Sequence, residues 1–94
     1  MTIIAKLPYI KVIREVKSVK KIEWEDQRMI CLFEEKITTA FREFPLEEVI
    51  DLSHRKIGEE SGFLFIHTNH GVYSYTLKTS PEYFINAFKT LKNS

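Results

Sequence analysis

Phe63-Leu64-Phe65-Ile66-His67-Thr68, then Asn69-His70-Gly71, then Val72-Tyr73-Ser74-Tyr75-Thr76-Leu77-Lys78, is the stretch that decides the fold. Two alternating runs rich in β-branched and aromatic residues flank three residues that accept turn and left-handed backbone, the pattern of an antiparallel hairpin. Tyr73, Tyr75 and Leu77 share the face expected to meet a core. Immediately downstream, Ser80-Pro81-Glu82 supplies an N-cap, a proline suited to the first helical position and an acid for the first turn. These signals predict a helix to about Lys92 with Phe84, Ile85, Phe88 and Leu91 as its apolar stripe, and with Lys89 and Lys92 near its negative end. Burying each of those four side chains contributes roughly 1.5–3 kcal/mol, so the helix is expected to cover a sheet.

Upstream the same period of two continues back to residue 9. Tyr9 to Val16 reads as a strand with Ile10, Val12 and Val16 on one face, and Pro8 suits a strand start or an edge. Ser18 to Glu25 places Ile22 and Trp24 on one side, and Glu25-Asp26-Gln27 reads as a turn. In Arg28 to Phe33, Met29, Cys31 and Phe33 alternate with Ile30 and Leu32, so both faces look covered. Glu34-Glu35-Lys36 is a hairpin-length break before a strand from Ile37 to Phe44, ended by Pro45. Pro45-Leu46-Glu47-Glu48 suits a single helical turn. Val49 to Ile57 follows as a strand with Ile50, Leu52 and His54 facing inward, and Gly58 to Gly62 is a loop. The sum is a mainly β chain of about seven antiparallel strands closed by one C-terminal amphipathic helix, sandwich-like or barrel-like.

Ninety-four residues and 11.1 kDa set the scale of a single domain spanning 1–94. Surface scaling gives roughly 5,700 Å² folded against roughly 16,000 Å² unfolded, enough burial for a core without metal or disulfide staples. With 44% hydrophobic and 29% charged residues and only three Gly and three Pro, disordered and low-complexity classes are excluded. The single cysteine, Cys31, has no internal partner and fits a reducing compartment. Lys6, Lys11 and Arg14 interrupt any signal-like apolar run at the start, and no apolar stretch is long enough to span a bilayer, so the expected location is the cytoplasm.

Net charge is only +1, but its distribution is uneven. Residues 1–22 hold six cations against Glu15, whereas residues 23–60 hold eleven acids against five cations. The basic start reads either as an attractor for phosphate or an acidic partner, or as solvated strands that blunt a sheet edge and pair with the acidic middle.

The order of elements resembles the pleckstrin-homology-like superfold, in particular its short bacterial versions. Phe44-Pro45-Leu46-Glu47-Glu48-Val49-Ile50 looks like the step before their middle strand. Gly62-Phe63-Leu64-Phe65-Ile66, His70-Gly71-Val72-Tyr73-Ser74-Tyr75 and Ser80-Pro81-Glu82-Tyr83-Phe84 look like their paired strands and closing helix. The resemblance covers residues 9 to 92. It implies a scaffold without catalysis that binds phosphoinositides in some members and proteins or further copies in others; fold alone does not choose among these. In lipid-binding members the first inter-strand loop is basic, and Lys17, Lys20 and Lys21, with Arg14 upstream, fall at about that place. The sequence departs from the lipid-binding pattern where Lys20-Lys21 runs into Ile22-Glu23.

Other chemistry finds little footing. His67 and His70 suit zinc, yet a site needs three or four ligands and no further ligand stands at a diagnostic spacing. Cys31 sits within Met29-Ile30-Cys31-Leu32-Phe33, the context of a small buried hydrophobe rather than a nucleophile. Adjacent acid pairs such as Glu34-Glu35, Glu47-Glu48 and Glu59-Glu60 would point to opposite faces of a strand and cannot converge as a dyad. Twelve aromatic residues could stack bases, but the near-neutral charge argues against nucleic acid. The expectation is a non-enzymatic binding module without a cofactor, taking a protein partner or another copy of itself through an exposed sheet edge. Lys11, Arg14, Lys17, Lys20 and Lys21 form the candidate surface for an acidic partner. Peripheral contact with an anionic membrane, or with an anionic ligand, through the same residues 11–21 is the alternative, each lysine near such a surface contributing about 1 kcal/mol.

Overall fold

The computed structural model describes residues 2–17, 20–59 and 61–93, with the side chains of 13–22 outside that description. Seven antiparallel strands and one helix follow in order: β1 (Ala5–Lys17), β2 (Lys20–Leu32), β3 (Lys36–Thr38), β4 (Glu43–Pro45), a single 3₁₀ turn (Leu46–Glu48), β5 (Val49–Lys56), β6 (Gly62–Thr68), β7 (Gly71–Leu77) and α1 (Glu82–Lys92). The strands form one sheet in the order β4-β3-β2-β1-β7-β6-β5. The expected mainly β class with a closing helix is the observed one.

The sheet bends over itself. Phe44 on β4 and Tyr73 on β7, separated in the sheet by β3, β2 and β1, bring their ring centroids within 5.0 Å. Between β1 and β7 the ladder is sparse, with the single pair Ile10↔Thr76 among the described residues. Tyr9 and Tyr75 pack edge to face across that seam at 5.0 Å. Inside lie Leu7, Ile30, Leu32 and Ile37 from one half of the sheet, and Leu52, Leu64, Ile66 and Leu77 from the other. Phe84, Ile85 and Phe88 of α1 close the core, with Leu91 packed against it, as the apolar stripe predicts. Ser80 Oγ accepts the Glu82 N–H at 3.4 Å at the helix start, and the Tyr83 hydroxyl donates to the Lys6 carbonyl.

The β6–β7 hairpin forms where expected. Gly71 takes φ of 137°, a backbone angle an L side chain resists. Five expectations fail. β1 starts at Ala5, not Tyr9, and Pro8 lies inside it opposite Met29, close to where pairing toward β7 has run out. Its buried residues are Leu7 and Tyr9, while Ile10 is half-buried and Val12 exposed, so the Ile10–Val12 face is the outer one. Glu25-Asp26-Gln27 is not a turn but the middle of β2, opposite Val12, Lys11 and Ile10. Charged residues on both faces are tolerated there because this part of the β1–β2 hairpin runs past the core into water.

The remaining two failures have local causes. The strand expected from Ile37 to Phe44 is itself a hairpin: Thr39 N–H bonds the Arg42 carbonyl at 2.8 Å, Arg42 N–H bonds Thr39 Oγ1 at 3.1 Å, and Phe41 is thrown out at the tip. In β5 the register slips between Val49 and Asp51, a bulge that turns Ile50 outward to 67% exposure while Val49 and Leu52 fill the core.

Candidate functional site

Of the candidate cations, Lys11 is placed in a definable setting. It is exposed on β1, opposite Asp26, and lines a hollow of about 440 Å³ between the two halves of the sheet. Tyr9, Arg28, Phe41, Arg42 and Tyr75 line the same hollow. The Arg28 guanidinium lies 4.6 Å from the Phe41 ring centroid, and its Nε and Nη2 both donate to Asp26 Oδ2 at 3.1 and 3.0 Å. Arg42 lies 4.9 Å over the Tyr73 ring. Guanidinium planes held on aromatic faces are pre-oriented for a planar anion. Burial pushes the Tyr75 phenol above its ordinary value, opposed in part by a hydrogen bond with Thr39.

Arg14, Lys17, Lys20 and Lys21 belong to strands β1 and β2, but their side chains lie outside the described residues. Their backbone register is described: Arg14 stands opposite Glu23, Val16 opposite Lys21 and Lys17 opposite Lys20. Sequence reasoning missed Arg28 and Arg42 as companions of Lys11: Arg28 stands beside it through the β1–β2 register, where a turn had been expected just before, and Arg42 reaches the same hollow through the Thr39–Arg42 turn and the bend of the sheet.

A second surface comes from the end of the sheet. β4, the edge strand at one side, is three residues long and ends in Pro45, which leaves little for another strand to pair with. β5, at the other side, is eight residues long, contains no proline and pairs only with β6. Ile57 N–H bonds the Ser61 carbonyl at 2.9 Å, which fixes the phase of the β5–β6 ladder. Hydrogen-bonded pairs alternate in an antiparallel ladder, so Asp51, Ser53 and Arg55 turn their backbone groups toward β6, and Leu52, His54 and Lys56 turn theirs outward. Beside this free edge runs a groove of about 540 Å³ between β5 and α1, lined by Leu52, His54, Glu82, Ile85, Asn86 and Lys89, among others. Alternation signals a strand in the sequence, but nothing local signals that the strand will be the last in its sheet.

The outer face of β5 and β6 holds one pair with a catalytic look. Ser53 Oγ and His67 Nε2 are 2.7 Å apart, and Asp51 is the cross-strand neighbour of His67. Among the described residues, no carboxylate bonds the other imidazole nitrogen. With no such group to orient the imidazole, the pair is read as a satisfied, part-buried side-chain hydrogen bond across the β5–β6 ladder. His70 is accounted for by Glu48, with Nε2 and Oε1 at 2.9 Å. No group of three or more His, Cys, Asp or Glu positioned for a metal occurs among the described residues, and among them no helix is long and apolar enough to cross a membrane.

No protein-family model, curated protein or solved structure matches the chain.

Proposed function

We propose that the chain is a non-catalytic binding module on a pleckstrin-homology-like scaffold that takes an extended segment of a protein, a partner or another copy of itself, as an added strand along β5. The observation that carries this reading is the free, proline-less edge of β5 running beside a groove floored by Leu52 and Ile85. Main-chain groups of Leu52, His54 and Lys56 would give such a segment its hydrogen bonds, and the groove would receive its alternate side chains. Seven antiparallel strands closed by a C-terminal helix support the scaffold assignment. The test is a library of random ten-residue peptides displayed on phage, selected on the immobilised protein. Selected peptides should shift the amide signals of Leu52–Lys56 and Ile85–Lys89; peptides that shift only other regions, or no selectable peptides, refute the reading.

A second reading rests on Lys11, Arg28 and Arg42 meeting at one hollow, with Arg28 also bonded to Asp26. This arrangement supports contact with an anionic surface or ligand, with the basic residues Arg14, Lys17, Lys20 and Lys21 further along the same hairpin. Vesicles of phosphatidylcholine with and without phosphatidylserine, at low and raised salt, decide it. Salt-sensitive shifts at Lys11, Arg28 and Arg42 that require the anionic lipid are expected, and their absence removes the reading.

A further inference from the structure

Resting on the reading of β5 as a binding edge, we propose that the strand it takes is β5 of a second copy of this chain, antiparallel about a two-fold axis at Ser53. Two constraints lead to this register. The first is backbone phase. Leu52, His54 and Lys56 carry the outward groups, so a symmetric pair must join outward residues to outward residues. Centres at Leu52, Ser53 or His54 all satisfy that requirement.

The second constraint is charge. Asp51 and Arg55 are both exposed, both lie on the outer face with Ser53 between them, and neither has an ion-pair partner among the described residues. With the axis at Ser53, Asp51 of each copy lies opposite Arg55 of the other, in non-hydrogen-bonded pairs where side chains approach most closely. An axis at Leu52 sets Asp51 against Ser53 and Arg55 against Val49. An axis at His54 sets Asp51 against Ile57. Only the Ser53 register pairs both charges, and it does so at both symmetric positions.

The surroundings accommodate the added strand. Leu52 and His54 of each copy would exchange both main-chain bonds with His54 and Leu52 of the other. On the inner side, the groove of about 540 Å³ beside α1 receives the inward side chains. On the outer side, the row Phe63, Phe65 and His67, with ring centroids 6.2 and 6.5 Å apart, becomes part of one sheet running through both copies. The arrangement closes on itself and leaves neither β5 edge open, as an isologous contact requires.

The test uses the whole chain in sedimentation runs across a wide concentration range, with amide hydrogen exchange at each concentration. A dimer should appear as concentration rises, and exchange at Leu52, His54 and Lys56 should slow in step. Asp51→Arg alone, or Arg55→Asp alone, opposes like charges at both symmetric positions and should weaken self-association about tenfold or more. Mixing those two variants should restore a heterodimer within about threefold of the original affinity, because each copy then supplies the charge the other lacks. A chain that stays monomeric at every concentration, or a dimer indifferent to both charge reversals and to their mixing, overturns the proposal. If either variant fails to fold, exchange at Leu52, His54 and Lys56 in the unaltered chain decides alone. A monomeric chain whose β5 amides still shift with phage-selected peptides would sink the self-pairing and leave the edge reading standing; failure of both experiments sinks both.

Discussion

The β5–β6–β7 half of the sheet and the outer reach of the β1–β2 hairpin are built from the same kind of alternating sequence, yet only one of them has a core to serve. In β6, Leu64 and Ile66 are fully buried, in the same core as Phe84 and Phe88 of α1. In β2, Trp24 is 44% exposed, and in β1, Val12 is 39% exposed, each with no second layer to meet. The hairpin shows in the overall dimensions: a radius of gyration of 14.7 Å and extents of 55 × 27 × 25 Å, against roughly 12.4 Å expected for a compact chain of this length. The accessible surface of 6547 Å² likewise exceeds the roughly 5,700 Å² of a rounded molecule. Alternation makes a strand; burial makes it stable. The β1–β2 reach is held by its ladder and by ion pairs such as Lys78–Glu25 at 2.6 Å, a bond class that contributes about 0–1 kcal/mol at a surface.

The sharpest way to break this comparison is to remove one large side chain from each region. Phe88→Ala empties a site that is 2% exposed and should cost about 3–5 kcal/mol in urea unfolding. Gly62→Ala comes next, because a Cβ there would stand 2.3 Å from the Arg55 carbonyl oxygen, backbone against backbone at the start of β6. An expected loss of about 1–3 kcal/mol, with faster amide exchange at Lys56 and Ile57, checks it. Trp24→Ala, for all its size, should cost less than about 1 kcal/mol. A loss equal to that of Phe88→Ala would mean that Trp24 is packed against a second apolar layer and the contrast between the two regions is void. The smallest effect is on pH. The Tyr75 phenol is raised by burial, so the folded state holds its proton above the pH at which an unfolded tyrosine releases it. Stability from this group is present below pH ~10 and falls as pH rises beyond it, and Tyr75→Phe should flatten that alkaline decline in thermal melts.

The same contrast explains what could be read in the sequence. The β6–β7 hairpin and α1 were legible because their signals are local: Asn69-His70-Gly71 makes the turn, and Ser80-Pro81-Glu82 starts the helix. Leu46–Glu48 was legible for the same reason, as a proline-led turn. In β1 the choice between the Leu7–Tyr9 face and the Ile10–Val12 face depends on what lies beneath, which period two cannot reveal. Glu25-Asp26-Gln27 resembles a turn by composition and forms strand because its partner, Ile10-Lys11-Val12, continues beside it. Of the binding surfaces, Lys11 was visible as charge, whereas Arg28 joined it through a β1–β2 register that the expected turn at Glu25-Asp26-Gln27 had hidden, and Arg42 through the bend in the sheet. The free edge of β5 follows from strand order, a property that pairs distant segments and leaves no mark in any one of them.

The sparse seam at Ile10↔Thr76 also bears on how the chain reaches this state. β1–β2 and β5–β6–β7 each pair neighbours along the chain, so their loops close at low entropic cost, while the seam joins residue 10 to residue 76 and must close a far longer one. Local ladders would assemble first and the union of the two halves last, with Tyr9 and Tyr75 meeting only in that final step. Truncating either ring should then hasten unfolding and leave the folding rate nearly unchanged, as a low-φ contact does. The lifetime of the native state, rather than the speed of reaching it, would be set where the two halves meet, at Ile10↔Thr76 and the Tyr9–Tyr75 and Phe44–Tyr73 ring contacts.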